Sequence, residues 1–202
     1  MLKKLATDWG LWMLLIFNLY LLDYYQQHPD EIKTLIFLYW TQSVFIGILT
    51  FFELAFSKTS ATSVLAPENS MKESFGSRGC MAFFFLFHYG FFHVGYLIFM
   101  FIKIDGHIDK HFFLIGVAIL GIGLLADFIF KKIQTYGQGI NPGKVFFTPY
   151  VRIIPMHLAI LLPEFLHVSN YTIFIALKIS MDILMHFVVS NHYNSRSLSS
   201  AP

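Results

Sequence analysis

Charge is scarce in this chain: 13% of its 202 residues are Asp, Glu, Lys or Arg, about half of the roughly 25% with which a soluble domain faces water. That shortage excludes an ordinary water-soluble globular domain. An excess of one sign is also missing, since 14 Lys and Arg stand against 12 Asp and Glu. The basic residues fall in short separated clusters, so there is no stripe to follow a nucleic-acid backbone, and nucleic acid is excluded as a partner. Cysteine is reduced to Cys80, which excludes an intramolecular disulfide and any disulfide framework. No small-residue cleavage site follows Lys3 and Lys4, so the first apolar stretch is expected to stay as a membrane span and not to leave as a signal peptide.

What the chain does have is hydrophobic residues, 56% of the total, gathered into runs close to the ~20 residues an α-helix needs to cross roughly 30 Å of hydrocarbon. Runs bounded by charge or turn residues fall at Trp9–Leu22, Thr34–Phe56, Cys80–Ile102, His111–Phe130, Tyr150–Leu166 and Tyr171–Ser190. The fold expected is all-α, a polytopic membrane helix bundle of about six spans forming one domain over residues 1–190. Polar Asn18 and Asp23 end the first run, Ser57–Gly79 reads as a mobile polar loop, Gln134–Thr148 as a Gly/Pro loop and Asn191–Pro202 as a disordered tail. Lys3, Lys4, Lys58, Lys72, Arg78, Lys131, Lys132, Lys144, Arg152 and Arg196 all fall on one side of such a bundle, and only Lys33, Lys103 and Lys110 on the other. The positive-inside rule then puts both termini in the cytoplasm.

Ionisable groups inside apolar spans cost several kcal/mol unless paired, hydrated or bound to a metal, so each is a functional candidate. They are Glu53, His88, His93, Asp127, His157, Lys178, Asp182 and His186. Counted at ~1.5 Å of rise per residue from the cytoplasmic end, His88, His157, Asp182 and His186 lie at about 12, 10, 12 and 6 Å. His93, about 20 Å up, falls outside that layer. Asp182 and His186 are spaced i, i+4 and share a helical face. Imidazoles with one carboxylate suit zinc, or iron with open positions, better than calcium or magnesium. The expectation is a metal site of His88, His157, Asp182 and His186. Asp182 either completes the shell or acts as the base for a metal-bound water, and Arg152, Lys178 and Glu53 bind the polar part of a substrate.

Plainer readings compete. Lys178 and Asp182 are themselves i, i+4 and can be an ion pair that makes their span insertable. Glu53 and Asp127 lie near the inner boundary, where headgroup water can reach them. The aromatic run from Phe83 to His93 could wall a haem, or simply face lipid and neighbouring helices.

Tyr39-Trp40, His88-Tyr89, Pro149-Tyr150-x-Arg152 with His157, and Lys178-x-x-x-Asp182-x-x-x-His186 together resemble a family of bacterial multi-pass membrane proteins known as a domain of unknown function. The resemblance implies a bacterial inner-membrane location and names no reaction. There is a looser analogy to the alkaline ceramidases and adiponectin-receptor-like membrane hydrolases, which hold zinc between helices with three histidines. Those proteins have seven spans and a paired-histidine motif where this chain has Asp182-x-x-x-His186. Four functions follow: a metal-dependent hydrolase of a lipid or amphiphile, a haem-binding redox protein, an ion or proton transporter with Lys178, Asp182 and the histidines as relay, and a structural membrane protein without catalysis.

Overall fold

The computed structural model describes residues 9–56, 75–134, 142–143, 145–151, 175–184 and 186–187. Regular structure among them is helical throughout, with no strand. Helix α1 runs over Trp9–Gln27, a 3-10 turn over Pro29–Glu31, α2 over Ile32–Phe56, α3 over Phe75–Lys103 and α4 over Lys110–Gln134. Further helical residues follow at 145–151 and 175–184.

Asn18 does not end the first helix, which continues to Gln27 with Asn18 buried at its middle. Helix α3 begins at Phe75, inside the segment read as a polar loop, and the helical residues 145–151 begin inside the segment read as a Gly/Pro loop. The rest of the first loop, most of the expected fifth span and the tail lie outside the described residues.

Helix α2 is the centre of the fold, packed against α3, α4 and α1. Its apolar residues are spread around the helix instead of forming one stripe, and most of its polar side chains are buried against its neighbours. Two glycines set the distances. A methyl group at Gly47 would meet Cε1 of Tyr89 on α3 at 2.5 Å, and one at Gly116 on α4 would meet Cδ2 of Leu38 at 2.8 Å. Small residues at these crossings let helices approach closely enough for dispersion contacts to hold them where lipid supplies no hydrophobic drive.

The outside of the bundle is greasy. Phe83, Phe87, Phe91 and Ile102 on α3, and Leu114 and Ile122 on α4, are each well over half exposed, while Thr34, Gln42, Ser43, Thr50 and Glu53 of α2 are buried. A water-soluble protein has the opposite distribution; apolar side chains outward and polar ones inward suit a protein surrounded by lipid. Among the described residues three helices are long and apolar enough to cross a bilayer: Pro29–Phe56, Gly79–Lys103 and Lys110–Ile133. This is an all-helical membrane protein. Helix α1 is not among the three, because Asn18, Asp23, Gln26 and Gln27 dilute its apolar run.

One end of the bundle is closed by a clasp between α1, the 3-10 turn and the α3–α4 loop. The Asp109 carboxylate caps α4, accepting from the backbone N–H of His111 at 2.9 Å and of Phe112 at 3.1 Å, which satisfies donors that a helix start leaves open. Its own N–H donates to Thr34 Oγ1 at 3.0 Å. The Tyr24 hydroxyl donates to the carboxylates of Glu31 and Asp109 while its ring stacks on Phe112. Gly106 turns the loop with φ of +102°, a conformation that disfavours a side chain.

Candidate functional site

Where α1, α2 and the helical residues 175–184 meet, Lys178, Asp182 and Asn18 form a closed polar cluster. Lys178 and Asp182 are one turn apart, so both side chains leave the helix on one face. Lys178 Nζ donates to Asp182 Oδ2 at 2.8 Å and to Asn18 Oδ1 at 2.6 Å. Asn18 Nδ2 donates to Asp182 Oδ2 at 3.3 Å and to the Leu14 carbonyl at 2.9 Å. The two amide hydrogens and the amide oxygen of Asn18 are thereby used, which fixes how its side chain is turned. The side chains of Lys178 and Asp182 are 4% and 0% exposed, so the pair is a buried charge pair and not a surface one. Phe17 and Tyr39 present ring faces to the ammonium, 5.3 and 5.8 Å from Nζ to the centroids, adding cation–π attraction where water cannot screen it.

From Tyr39 a seam of small and polar residues runs along α2: Ser43, Gly47, Thr50 and Glu53, at spacings of four, four, three and three, which keep to one helical face. Ser43 sits in a second network, with Tyr89 and His93 of α3. Ser43 Oγ is 2.8 Å from the Tyr89 hydroxyl and 3.0 Å from His93 Nε2. The Tyr89 hydroxyl also reaches the Ser43 carbonyl at 3.0 Å. His93 Nδ1 is 2.9 Å from the Tyr89 carbonyl, and the Trp40 indole N–H donates to the His93 carbonyl at 3.0 Å. The seam ends at Glu53, whose carboxylate is 3.6 Å from Lys132 Nζ on α4. Beside that pair, Lys131 bonds to Asp127 one turn earlier, and both lysines sit at the helix C-terminus, where cations complement the dipole.

The expected metal ligands are placed as follows. His88 is half-buried, with Nδ1 2.7 Å from the Tyr150 hydroxyl and its ring between Phe84 and Phe92. Asp182 is engaged by Lys178 and Asn18, the ion pair that its spacing also allowed. His186 is half-buried with its ring 6.0 Å from that of Phe187. His157 and Arg152 lie outside the described residues. Among the described residues, no three of His, Cys, Asp and Glu come together as a metal would require. Glu53 and Lys178 stand apart, one at the α2–α4 end of the seam and the other in the charge cluster.

Depth alone set His93 aside, yet it has the fuller network of the two histidines on α3. Five residues separate it from His88, which turns the two about 140° apart on the helix; His93 shares its face with Tyr89 and looks into α2. Asn18 was legible only as a polar interruption. Its partners come from a helix 160 positions further along. The signal that could have found the second network is local: Tyr89 and His93 at i, i+4 on one helix, and Ser43 and Gly47 at the same spacing on another.

Outside the helix spans, two groups of the clasp are displaced from their ordinary ionisation. Burial, then the hydrogen bonds to Glu31 and Asp109, push the Tyr24 phenol up, because a phenolate there would face two carboxylates without solvent. The Phe112 backbone N–H, foremost, together with the Tyr24 hydroxyl and the His111 N–H, holds the Asp109 carboxyl below its usual value.

The chain belongs to a family of unknown function, DUF6498, whose model matches residues 1–199. No curated protein and no solved structure matches it.

Proposed function

We propose that this membrane protein carries protons across the bilayer through the Lys178–Asp182–Asn18 cluster. The reading rests on one observation: a lysine and an aspartate paired at 2.8 Å with essentially no exposure inside an apolar bundle. Burying two charges costs several kcal/mol per ion, and apolar side chains of similar volume would hold the same helices with less penalty. Ionisable residues within membrane helices mark ion and proton routes. A proton arriving at Asp182 neutralises the carboxylate and releases Lys178 from its counter-charge. The ammonium then keeps Asn18 Oδ1 and the Phe17 and Tyr39 rings as partners. The cluster therefore has a supported form with the proton bound and another with it gone, which a carrier requires. An inner membrane with both termini cytoplasmic is the setting that the distribution of Lys and Arg favours.

The test is proton movement in proteoliposomes containing a pH-sensitive dye, driven by a pH gradient or a membrane potential. Wild type is expected to pass protons, and Asp182→Asn to stop them while helix content is kept. Absence of flux in wild type under both driving forces, or unchanged flux in Asp182→Asn, would sink the proposal.

A second reading keeps a metal-dependent hydrolase of a lipid or amphiphile, with zinc, or else iron or haem, on His88, His157 and His186. It is favoured by the Tyr150 hydroxyl on His88 Nδ1, the outer hydrogen bond that orients a ligating imidazole and turns Nε2 toward a metal. Metal analysis with a visible absorption spectrum on detergent-purified protein separates the readings. Stoichiometric metal lost in both His157→Ala and Asp182→Ala supports the four-residue site, a Soret band supports haem, and a colourless metal-free wild type removes both.

A further inference from the structure

We propose that Ser43, Tyr89 and His93 form a second proton-holding station, at which His93 accepts a proton on Nε2 through the Ser43 hydroxyl. The inference rests on the proton-carrying reading and adds a site to it.

With His93 neutral, the backbone carbonyl fixes the polarity of the chain. Nδ1 of His93 faces a backbone carbonyl, which can only accept, so Nδ1 carries the hydrogen. In the neutral ring Nε2 is then the basic lone pair. It points at Ser43 Oγ, 3.0 Å away, so the serine hydroxyl donates to it. With its hydrogen committed, Ser43 Oγ accepts from the Tyr89 hydroxyl at 2.8 Å, which also leans on the Ser43 carbonyl. Tyr89, Ser43 and His93 thus form a donor chain that ends on a base.

The charge balance of a transfer is simple. A hydronium ion gives its proton to the Tyr89 oxygen, the former Tyr89 proton moves to Ser43 Oγ, and the former Ser43 proton moves to His93 Nε2. Water leaves, both hydroxyls stay neutral, and His93 becomes an imidazolium with hydrogens on both nitrogens. No oxidant or leaving group is involved. The site also suits the product. The Tyr89 ring stacks against the imidazole with centroids 4.2 Å apart and the Trp40 ring lies at 6.3 Å, so two π systems border the imidazolium.

Among the described residues few other charges bear on it. On α2 no Asp, Glu, Lys, Arg or His occurs between Lys33 and Glu53, and Tyr39, Gln42, Ser43 and Thr50 are its buried polar groups there. On α3 itself Tyr89 stacks on it, with Tyr96 three residues further along and His88 five residues before. Lys178 reaches α2 one turn away, at Tyr39. One continuous face of α2 thus serves both stations.

The experiment is ¹⁵N NMR of the full chain labelled at histidine, in lipid nanodiscs, with His93 assigned by its loss in His93→Gln. The expected result is the Nδ1–H tautomer at neutral pH and protonation of both nitrogens on acidification from about pH 8 to about pH 5. An Nε2–H tautomer, or a His93 signal unchanged over that range, overturns the station without recourse to any variant. Proton flux in proteoliposomes gives the second arm, where Ser43→Ala is expected to slow transfer by about tenfold or more. Wild-type flux that Ser43→Ala and His93→Gln both leave unchanged overturns the station and leaves the Lys178–Asp182 reading standing. Wild type that passes no protons overturns that reading instead, and the tautomer and titration of His93 then decide the station alone.

Discussion

Asp182 and Asp109 are both carboxylates fully engaged in hydrogen bonds, but they solve the problem of a negative charge differently. Asp109 stands at a helix start near the end of the bundle and is satisfied mainly by backbone amides and a phenol, with His111 adding a weaker coulombic attraction. Asp182 lies in the bundle interior and, among the described residues, is matched with a lysine and an amide. Near water a carboxylate can keep its net charge and take dipoles as partners. In a lipid-surrounded core it needs a counter-charge, and that counter-charge becomes a liability when either partner is removed.

The largest effect should therefore come from breaking the pair on one side. Asp182→Leu removes the carboxylate beside a buried ammonium and is expected to destabilise the protein by about 3–5 kcal/mol, read as a fall in the thermal unfolding midpoint in detergent. Combining it with Lys178→Met should restore most of that stability while proton transfer stays absent. If the double variant is as unstable as the single one, the cluster is holding the helices together and the contrast with Asp109 fails.

Next in size is Gly47→Ala. Its methyl group would meet the Tyr89 ring, which cannot swing aside freely because its hydroxyl is held by Ser43 and its face by His93. A loss of about 1–3 kcal/mol is expected, with a changed His93 NMR signal. Gly116→Ala should be milder, since it meets the end of the flexible Leu38 side chain.

The stability that the clasp contributes should depend on pH. The Asp109 carboxyl is held below its usual value, so the stability it contributes is present above about pH 4, its unfolded value, and is lost as the pH falls through its lower folded value. For Tyr24 the folded value is raised, so its contribution is present below about pH 10 and is lost as the pH rises beyond that. Asp109→Ala should lower the unfolding midpoint modestly and flatten the acid limb of its pH profile; an unchanged acid limb would mean that the cap contributes nothing. The smallest effect is expected for the partly exposed Lys131–Asp127 pair. Asp127→Asn should change stability by less than about 1 kcal/mol, because such pairs gain little over hydration.

Much of this protein was legible in its sequence because the requirement concerned is local. A helix must be apolar over a set length to sit in lipid, so α2, α3 and α4 announce themselves within a residue or two of their ends, apart from the start of α3 at Phe75 and the end of α4, which runs four residues past Phe130 to Gln134. The Lys178–Asp182 pair was legible for the same reason, since i, i+4 spacing on one helix needs no knowledge of any other. Helix ends were less so where Gly, Pro and polar residues dominate, as at Phe75 and Val145, because those residues discourage a helix without forbidding it.

What only the tertiary structure decided is which groups meet across helices. A depth count places residues along the membrane normal and says nothing about the angle at which a side chain leaves its helix. For that reason His88 and Asp182 could share a layer on paper and still take different partners, Tyr150 for one and Lys178 with Asn18 for the other. His93, set aside by depth, faces Ser43 because Gly47 lets the Tyr89 face of α3 press against α2. Rise per residue belongs to a single helix. Rotation about its axis is set by the neighbours that pack against it.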